Sequence, residues 1–329
     1  MKILGFFNNK GGVGKTTLAY HVSHMFANLG LKVVAFDLDP QANLTSLFLP
    51  EERLEELWEP EDGGQTILGC IHPIRQGIGD IVSKKPLEVA EGLWLLPGHL
   101  GLSLFEDKLA TSWSEGFKPD PSALRATTAF YRIMDETMNS VNADIGLVDV
   151  GPNLGAINRS ALLAADYLLF PLAPDLFSLQ GLRNLGPTVQ SWRKQWGRMK
   201  EAAREIKDIP LPDGRMKPVG YVVFQHEVRL DRPVKAFGRW LARIPQVYAE
   251  NISIQTPTNI SAKDDPNCLA SLRNYRSLMP MSHEARKPMF DLKAVDGAIG
   301  SHARLVEVCY EDFKSLTTRI SAKINLRLK

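Results

Sequence analysis

The sequence predicts an α/β fold: a mostly parallel, twisted sheet flanked by helices on both faces. Three observations lead there. Short apolar runs rich in Val, Ile, Leu and Phe alternate with helix-length amphipathic segments, the pattern of strand–helix–strand units. The runs are nearly continuously apolar, as strands covered on both faces are. A glycine-rich turn separates the first run from the first amphipathic segment.

In chain order, strands are expected at 2–7, 32–37, 93–97, 145–150, 167–171 and 219–224. Helices are expected at 16–29, 123–139, 155–164, 179–207 and 301–323. In the last of these Val306, Tyr310, Phe313, Thr317, Ile320 and Ile324 recur at spacings of three and four, one face of a helix. Two segments read as surface excursions. Residues 49–64 are acidic and end in Pro60-Glu-Asp-Gly-Gly64, and residues 250–280 lack periodicity and hold Pro257, Pro266 and Pro280. With no linker, residues 1–329 read as one domain carrying insertions near 49–64 and 250–280.

The chain has 329 residues, 44% hydrophobic and 23% charged, which is enough apolar material for a large core and excludes disordered, collagen-like and disulfide-stapled classes. The most apolar stretch, 161–174, is interrupted by Asp166, so no run reaches the roughly 18 residues of a membrane span. Only residues 3–7 are apolar ahead of Asn8, Asn9 and Lys10, too short for a secretory leader, and a cytoplasmic protein is expected. Cys70, Cys268 and Cys309 form no CxxC pair and read as reduced packing residues; His72, His99, His226 and His283 lack metal-ligand spacing and read as ordinary histidines. The net charge of +2 hides an asymmetry: residues 1–150 sum to −8 and residues 151–329 to +10. Such a split hints at an anionic partner.

The chemistry concentrates in Lys10-Gly-Gly-Val-Gly-Lys15-Thr16-Thr17, between the first strand and the first helix. It follows the G-x-x-x-x-G-K-[ST] phosphate-loop template with Asn9 in place of the first glycine. Gly11, Gly12, Val13 and Gly14 turn backbone N–H groups toward a polyphosphate, and the helix adds its positive end. Lys15 neutralises β- and γ-oxygens, the Thr16 hydroxyl takes Mg²⁺, and Thr17 completes the loop. At the end of the second strand, Asp37-Leu-Asp39-Pro-Gln41-Ala-Asn43 puts a carboxylate at the ligand crevice of an open α/β sheet, where one of its two acids orients water or holds the metal shell. Taken alone, such an Asp caps the following turn; beside a phosphate loop the functional reading outweighs it. A third segment, Ile145-Gly-Leu-Val-Asp149-Val-Gly151-Pro152, ends a strand on Asp149, a second carboxylate for the metal.

Together these segments resemble the ParA/MinD family of P-loop ATPases, the deviant Walker A group. KGGVGKTT resembles the family's altered loop, FDLDPQANLTS its second box and VDVGPNLG its Walker B segment. The likeness continues through Asn158–Asp166, Pro171-Leu-Ala-Pro174, Phe177-Ser-Leu-Gln-Gly181-Leu and, near the end, Glu284-Ala-Arg-Lys-Pro288. Leu95-Leu-Pro97-Gly-His resembles the family's short strand before its third helix, and the DPQ-x-N box lies nearer ParA than MinD. The resemblance implies an ATPase using ATP and Mg²⁺. Lys10 matches the signature lysine that reaches the partner's phosphates across an ATP-dependent homodimer. Asp39 matches the acid that activates water, and Asp149 the Walker B acid; catalysis falls to Lys10, Lys15 and Asp39, and the metal to Thr16, Asp39 and Asp149. Asp37 and Gln41 would support switch movements. The residue after the 219–224 strand, Gln225, takes the adenine contact, and residues 250–280 depart from the family pattern.

ParA-like ATPases bind DNA without sequence preference through surface Lys and Arg, which the resemblance extends to this chain. Three basic groups are candidates: Arg193, Lys194, Arg198 and Lys200; Arg229, Arg232, Lys235, Arg239 and Arg243; and Arg273 with Arg276. Trp192 and Trp196, one turn apart, read as packing residues ahead of base-stacking ones. The basic tail 314–329 lacks the aromatic cluster of a membrane anchor, so no stable membrane anchor is expected. The reading is a partition- or positioning-type ATPase, nucleoid-associated through its DNA contacts and open to a ParB-like stimulating partner. The alternative is a MinD-like nucleotide switch that docks a protein or membrane complex without DNA.

Overall fold

The computed structural model describes residues 2–224, 234–254, 256 and 260–329, with the backbone alone for 234–237. Gln225, Arg229 and Arg232 therefore lie outside the described residues, as does the side chain of Lys235. Strands β1 (Ile3–Phe6), β2 (Val33–Asp37), β3 (Leu87–Ala90), β4 (Leu93–Leu96), β5 (Ile145–Asp149), β6 (Tyr167–Leu172), β7 (Lys217–Phe224) and β8 (Cys268–Leu272) form one sheet in the order β3-β4-β2-β5-β1-β6-β7-β8. All neighbours pair in parallel except β3 and β4. Every residue of β1, β2 and β5 is buried, as their unbroken apolar character requires.

Helices cover both faces. Helices α1 (Lys15–Asn28), α2 (Asn43–Phe48), α11 (Leu278–Ala285) and α12 (Ser301–Lys323) close one side, where Phe26, Phe290 and Phe313 fill the core. Helices α4 (Ile67–Gln76), α5 (Glu106–Glu115), α6 (Pro121–Thr127), α7 (Ala129–Val141), α8 (Ala156–Leu163), α9 (Leu176–Ala202) and α10 (Val234–Tyr248) serve the other, around Trp113, Phe130 and Trp196. Register brings the acidic strand ends together: Phe6 pairs with Asp149, and Asp149 with Asp37, so both carboxylates stand beside the loop that follows β1.

The bounds of several elements differ from expectation, while the packing readings hold. The acidic excursion at 49–64 contains helix α3 (Glu51–Trp58), which buries Leu54 and whose Trp58 Nε1–H donates to the Gly98 carbonyl at 3.0 Å. The aperiodic 250–280 stretch supplies β8, which extends the sheet beyond β7. Residues 123–139 are two helices, because Thr128 turns its hydroxyl back onto the Leu124 carbonyl at 2.8 Å and the chain bends there. Helix α9 begins at Leu176, three residues early, because Asp175 caps it through the Ser178 N–H at 2.8 Å. Trp192 and Trp196 are buried, Trp192 against Phe7 and Trp196 against Trp113, so neither is available to stack on bases. Cys70, Cys268 and Cys309 are free and buried, and burial pushes the Cys70 thiol up to about 12. Among the described residues no helix is long and apolar enough to cross a membrane.

Candidate nucleotide-binding site

The loop after β1 earns its glycines at two positions. Gly12 and Gly14 have φ of 71° and 84°, the left-handed region that a Cβ disfavours. A Cβ on Gly14 would also press against the Phe224 ring at 3.2 Å. Gly11 is different: nothing lies within 4 Å of its Cβ position, and it lines open cavity. Gly14 is the N-cap of α1 and offers no side chain to the helix end, leaving first-turn N–H groups to whatever fills the cavity. That cavity is about 630 Å³, walled by Gly11, Gly12 and Gly14–Thr17 on the floor and by Asp39, Gln41, Asn43, Ser46, Leu47, Pro152, His283 and Arg286 around it.

Lys15 is 7% exposed; burial lowers the affinity of its ammonium for the proton, and Asp149 and Asp39 pull the other way. Its Nζ donates to the Lys10 carbonyl at 3.3 Å. Asp149 is fully buried and neither carboxylate oxygen has a hydrogen-bond partner. Burial first, and then the neighbouring Asp37, hold its carboxyl well above the ordinary range, while the Thr16 hydroxyl and Lys15 oppose them. A buried carboxylate without a donor is costly unless a cation or hydrogen-bond donor meets it. Asp39 accepts from the Gln41 N–H at 3.0 Å, and its Oδ1 lies 3.2 Å from where a Cβ on Gly151 would stand, which brings the β2 and β5 loops into contact.

Asp37 has another task. Its Oδ2 accepts from both the N–H (2.8 Å) and the hydroxyl (2.6 Å) of Thr45, and the same hydroxyl accepts from the Gly98 N–H at 2.8 Å. Burial pushes its carboxyl up to about 6 against those bonds. Asp37 is a brace that fixes α2 against the end of β4; it does not line the cavity itself, but its Oδ1 accepts from the N–H of Asp39, which does, at 3.3 Å.

Lys10 bends away from the cavity and pairs with Asp175, with its ammonium 5.9 Å from the centre of the Phe177 ring. Asp175 is held below the usual carboxylate range: burial pushes upward, but the Lys10 ammonium and the Ser178 N–H outweigh it. Sequence reasoning missed Asn8, which is fully buried, donates to the Pro171 carbonyl at 2.7 Å and accepts from the Lys10 N–H at 2.9 Å, tying the loop to the end of β6. It also missed Asn158, which donates to the carbonyls of Gly151 (2.7 Å) and Asn153 (2.8 Å), and Glu106, whose carboxylate accepts from the Ala156 and Ile157 N–H groups at the start of α8. His283, which has no metal-ligand spacing in the sequence, lines the cavity with Arg286. Among the described residues no trio of His, Cys, Asp and Glu forms a metal cluster; Thr16, the cavity-lining Asp39 and the buried Asp149 are candidate oxygen donors for a cation.

The basic groups fall apart into anchored and exposed members. Arg193 donates to the Met216 carbonyl and Lys200 to that of Asp213 at 3.1 Å, so both act within the fold, while Lys194 and Arg198 are exposed. Arg239 and Arg243 are exposed and lie 4.7 and 5.3 Å from the Trp240 ring centre. Arg273 pairs with Asp312 at 3.4 Å, and Arg276 is an exposed left-handed residue with φ 49°.

Residues 1–201 match the family model described as an AAA domain. The chain belongs to the ParA/MinD family of P-loop ATPases. It is 30% identical over 188 residues to the chromosome-partitioning ATPase Soj of Thermus thermophilus, an alignment spanning 56% of this chain and 60% of Soj. Among solved structures, protein DIP2308 from Corynebacterium diphtheriae superposes with a TM-score of 0.69 at 24% identity, covering 98% of this chain and 99% of the other. An ATP complex of a McdA variant from Cyanothece gives a TM-score of 0.62 at 17% identity, covering 99% and 97%. The eight-stranded, mostly parallel sheet with helices on both faces is thus the fold of this ParA/MinD family.

Proposed function

We propose that this ParA/MinD-family chain binds and hydrolyses Mg-ATP, dimerises when ATP is bound, and in that state holds DNA without sequence preference to position a cargo. The observation that carries the ATP reading is the cavity itself: a glycine loop capping α1, a buried Lys15 on its floor and a buried Asp149 without a partner behind Thr16. Loop N–H groups and Lys15 bind the β- and γ-phosphates. Thr16, Asp149 and Asp39 would hold Mg²⁺, which when bound supplies charge neutralisation at those phosphates. Asp39, fixed by the Gln41 N–H, orients the attacking water. The McdA–ATP complex and the name of the Soj relative support the same reading.

Dimerisation turns on Lys10. In the subunit alone it is held by Asp175; in an ATP dimer it swings to the partner's phosphates. Without nucleotide, two such lysines would face one another with no counter-charge. DNA contact then falls to exposed members of the first two basic groups, Lys194, Arg198, Arg239 and Arg243. The alternative of a membrane-docking switch asks for a free amphipathic tail, but Leu316, Ile320 and Ile324 are buried against the sheet. The test of the ATP site is titration of a fluorescent ATP analogue into wild type and Lys15→Ala: binding is lost in the variant, and unchanged affinity removes the assignment.

A further inference from the structure

The cavity has a wall that the phosphate loop does not supply. Asp39 and Gln41 follow β2 and stand, with α2, on one flank of α1; α12, which packs on β8, stands on the other flank, and His283 and Arg286 reach the cavity from the end of α11. Arg286 is the residue at which α11 stops, with φ 48° and ψ 44°. The Lys287 N–H closes the helix end on the Ser282 carbonyl at 3.2 Å. Glycine is the common occupant of such a left-handed helix end, because any Cβ is strained there. Arg286 stands there instead, and of the left-handed non-glycine residues it and Ala42 belong to the segments that border the cavity, Arg286 itself lining it.

The surrounding chain holds it in place. Lys287 Nζ pairs with Asp296 at 2.7 and 2.9 Å. The Met289 N–H donates to His21 Nε2 at 3.1 Å, and His21 Nδ1–H donates to the Thr17 carbonyl at 2.7 Å. The segment carrying Arg286 is therefore bolted to the first turns of α1, just past the phosphate loop. The Arg286 side chain is exposed to the cavity and makes no ion pair or hydrogen bond among the described residues.

The geometry points to Arg286 as a nucleotide ligand: its guanidinium takes the α-phosphate from the flank of α1 opposite Asp39, while the loop and Lys15 take the β- and γ-phosphates. The inference rests on the proposed nucleotide site and adds the group that grips the nucleoside end. A planar guanidinium fork suits two phosphate oxygens at once, and Arg286 brings it to the cavity from a wall the loop does not form.

The experiment titrates fluorescent ATP and ADP analogues into wild type, Arg286→Ala, Arg286→Gly, Arg286→Lys and Lys15→Ala, with thermal melts alongside. Both nucleotides carry the α-phosphate, so Arg286→Ala and Arg286→Gly weaken ATP and ADP by the same factor, about 10-fold or more, and Arg286→Lys loses less. Arg286→Gly also raises Tm, because glycine relieves the left-handed backbone. A residue that merely ended the helix would raise Tm and leave affinity unchanged, and that result overturns the proposal. Loss of ATP affinity with ADP unaffected overturns it too. Lys15→Ala separates the two levels: if it binds as wild type, the site itself is misassigned, whereas lost binding there with Arg286 variants unaffected removes only Arg286.

Discussion

Asp149 and Lys15 illustrate how single side chains set this site apart. A carboxylate with two buried, unpartnered oxygens is a standing cost in the fold, and so is a lysine that burial drives toward the neutral form. Each is relieved by what the other half of a nucleotide complex brings, a cation for one and phosphate for the other. Lys15→Ala is expected to weaken ATP by about 100-fold or more, the scale of losing one buried charged partner, read by fluorescence titration. Asp39→Ala is expected to keep ATP and slow hydrolysis by about 100-fold or more, accumulating an ATP dimer in size-exclusion chromatography; turnover at the wild-type rate removes Asp39 from the mechanism. Asp175→Ala takes away the partner that holds Lys10 in the lone subunit. Its ATP dimer is expected to form at lower nucleotide concentration, and a shift to higher concentration contradicts the holding role.

At the scale of elements, the first helix carries a pH dependence. His21 and His24 on α1 are buried, and burial pulls them down to about 4 and about 3. His21 uses both nitrogens while neutral, and His24 packs on Tyr20 and Phe48 with its Nε2 unpaired. Both pKa values are depressed in the fold, so the unfolded chain binds the extra protons. Stability is full above the unfolded value of about 6.5 and is lost as pH falls toward 4. At about pH 5.5 unfolding is expected to cost about 1–3 kcal/mol less than at about pH 7.5, checked by urea melts, and His24→Phe narrows the gap.

The same elements show what the sequence could reveal. Strands such as Val33–Asp37 and the helix behind Gly14 were legible because their apolar runs and glycine turn are local signals. Edge strand β8 reads Cys-Leu-Ala-Ser-Leu among prolines and is defined by pairing with β7, a partner more than forty residues away. Helix α3 hides in a run of glutamates, with Leu54 its only buried residue. Spacing alone singles out Lys15 and Asp39, which the fold brings to one cavity, and Asp149, which is buried close to Lys15. The place of Arg286 and the Asp37–Thr45 brace are not legible in the sequence, because tertiary packing alone brings Arg286 to a cavity some 270 residues upstream, and nothing in a lone Thr marks it as a carboxylate's donor.

Across the whole molecule, charge is divided along the chain: the half that carries Asp39 and Asp149 sums to −8 and the half that carries the exposed arginines and lysines to +10. The proposed function joins the two, the acidic half gating on nucleotide and the basic half meeting DNA phosphates. The measurement that tests this most directly is titration of an arbitrary duplex DNA at rising salt, with ATP and with ADP. The account predicts binding with ATP that falls steeply as salt rises, because counterions are released from the phosphates, and far weaker binding with ADP. Equal affinity with both nucleotides, or none with ATP at low salt, contradicts it.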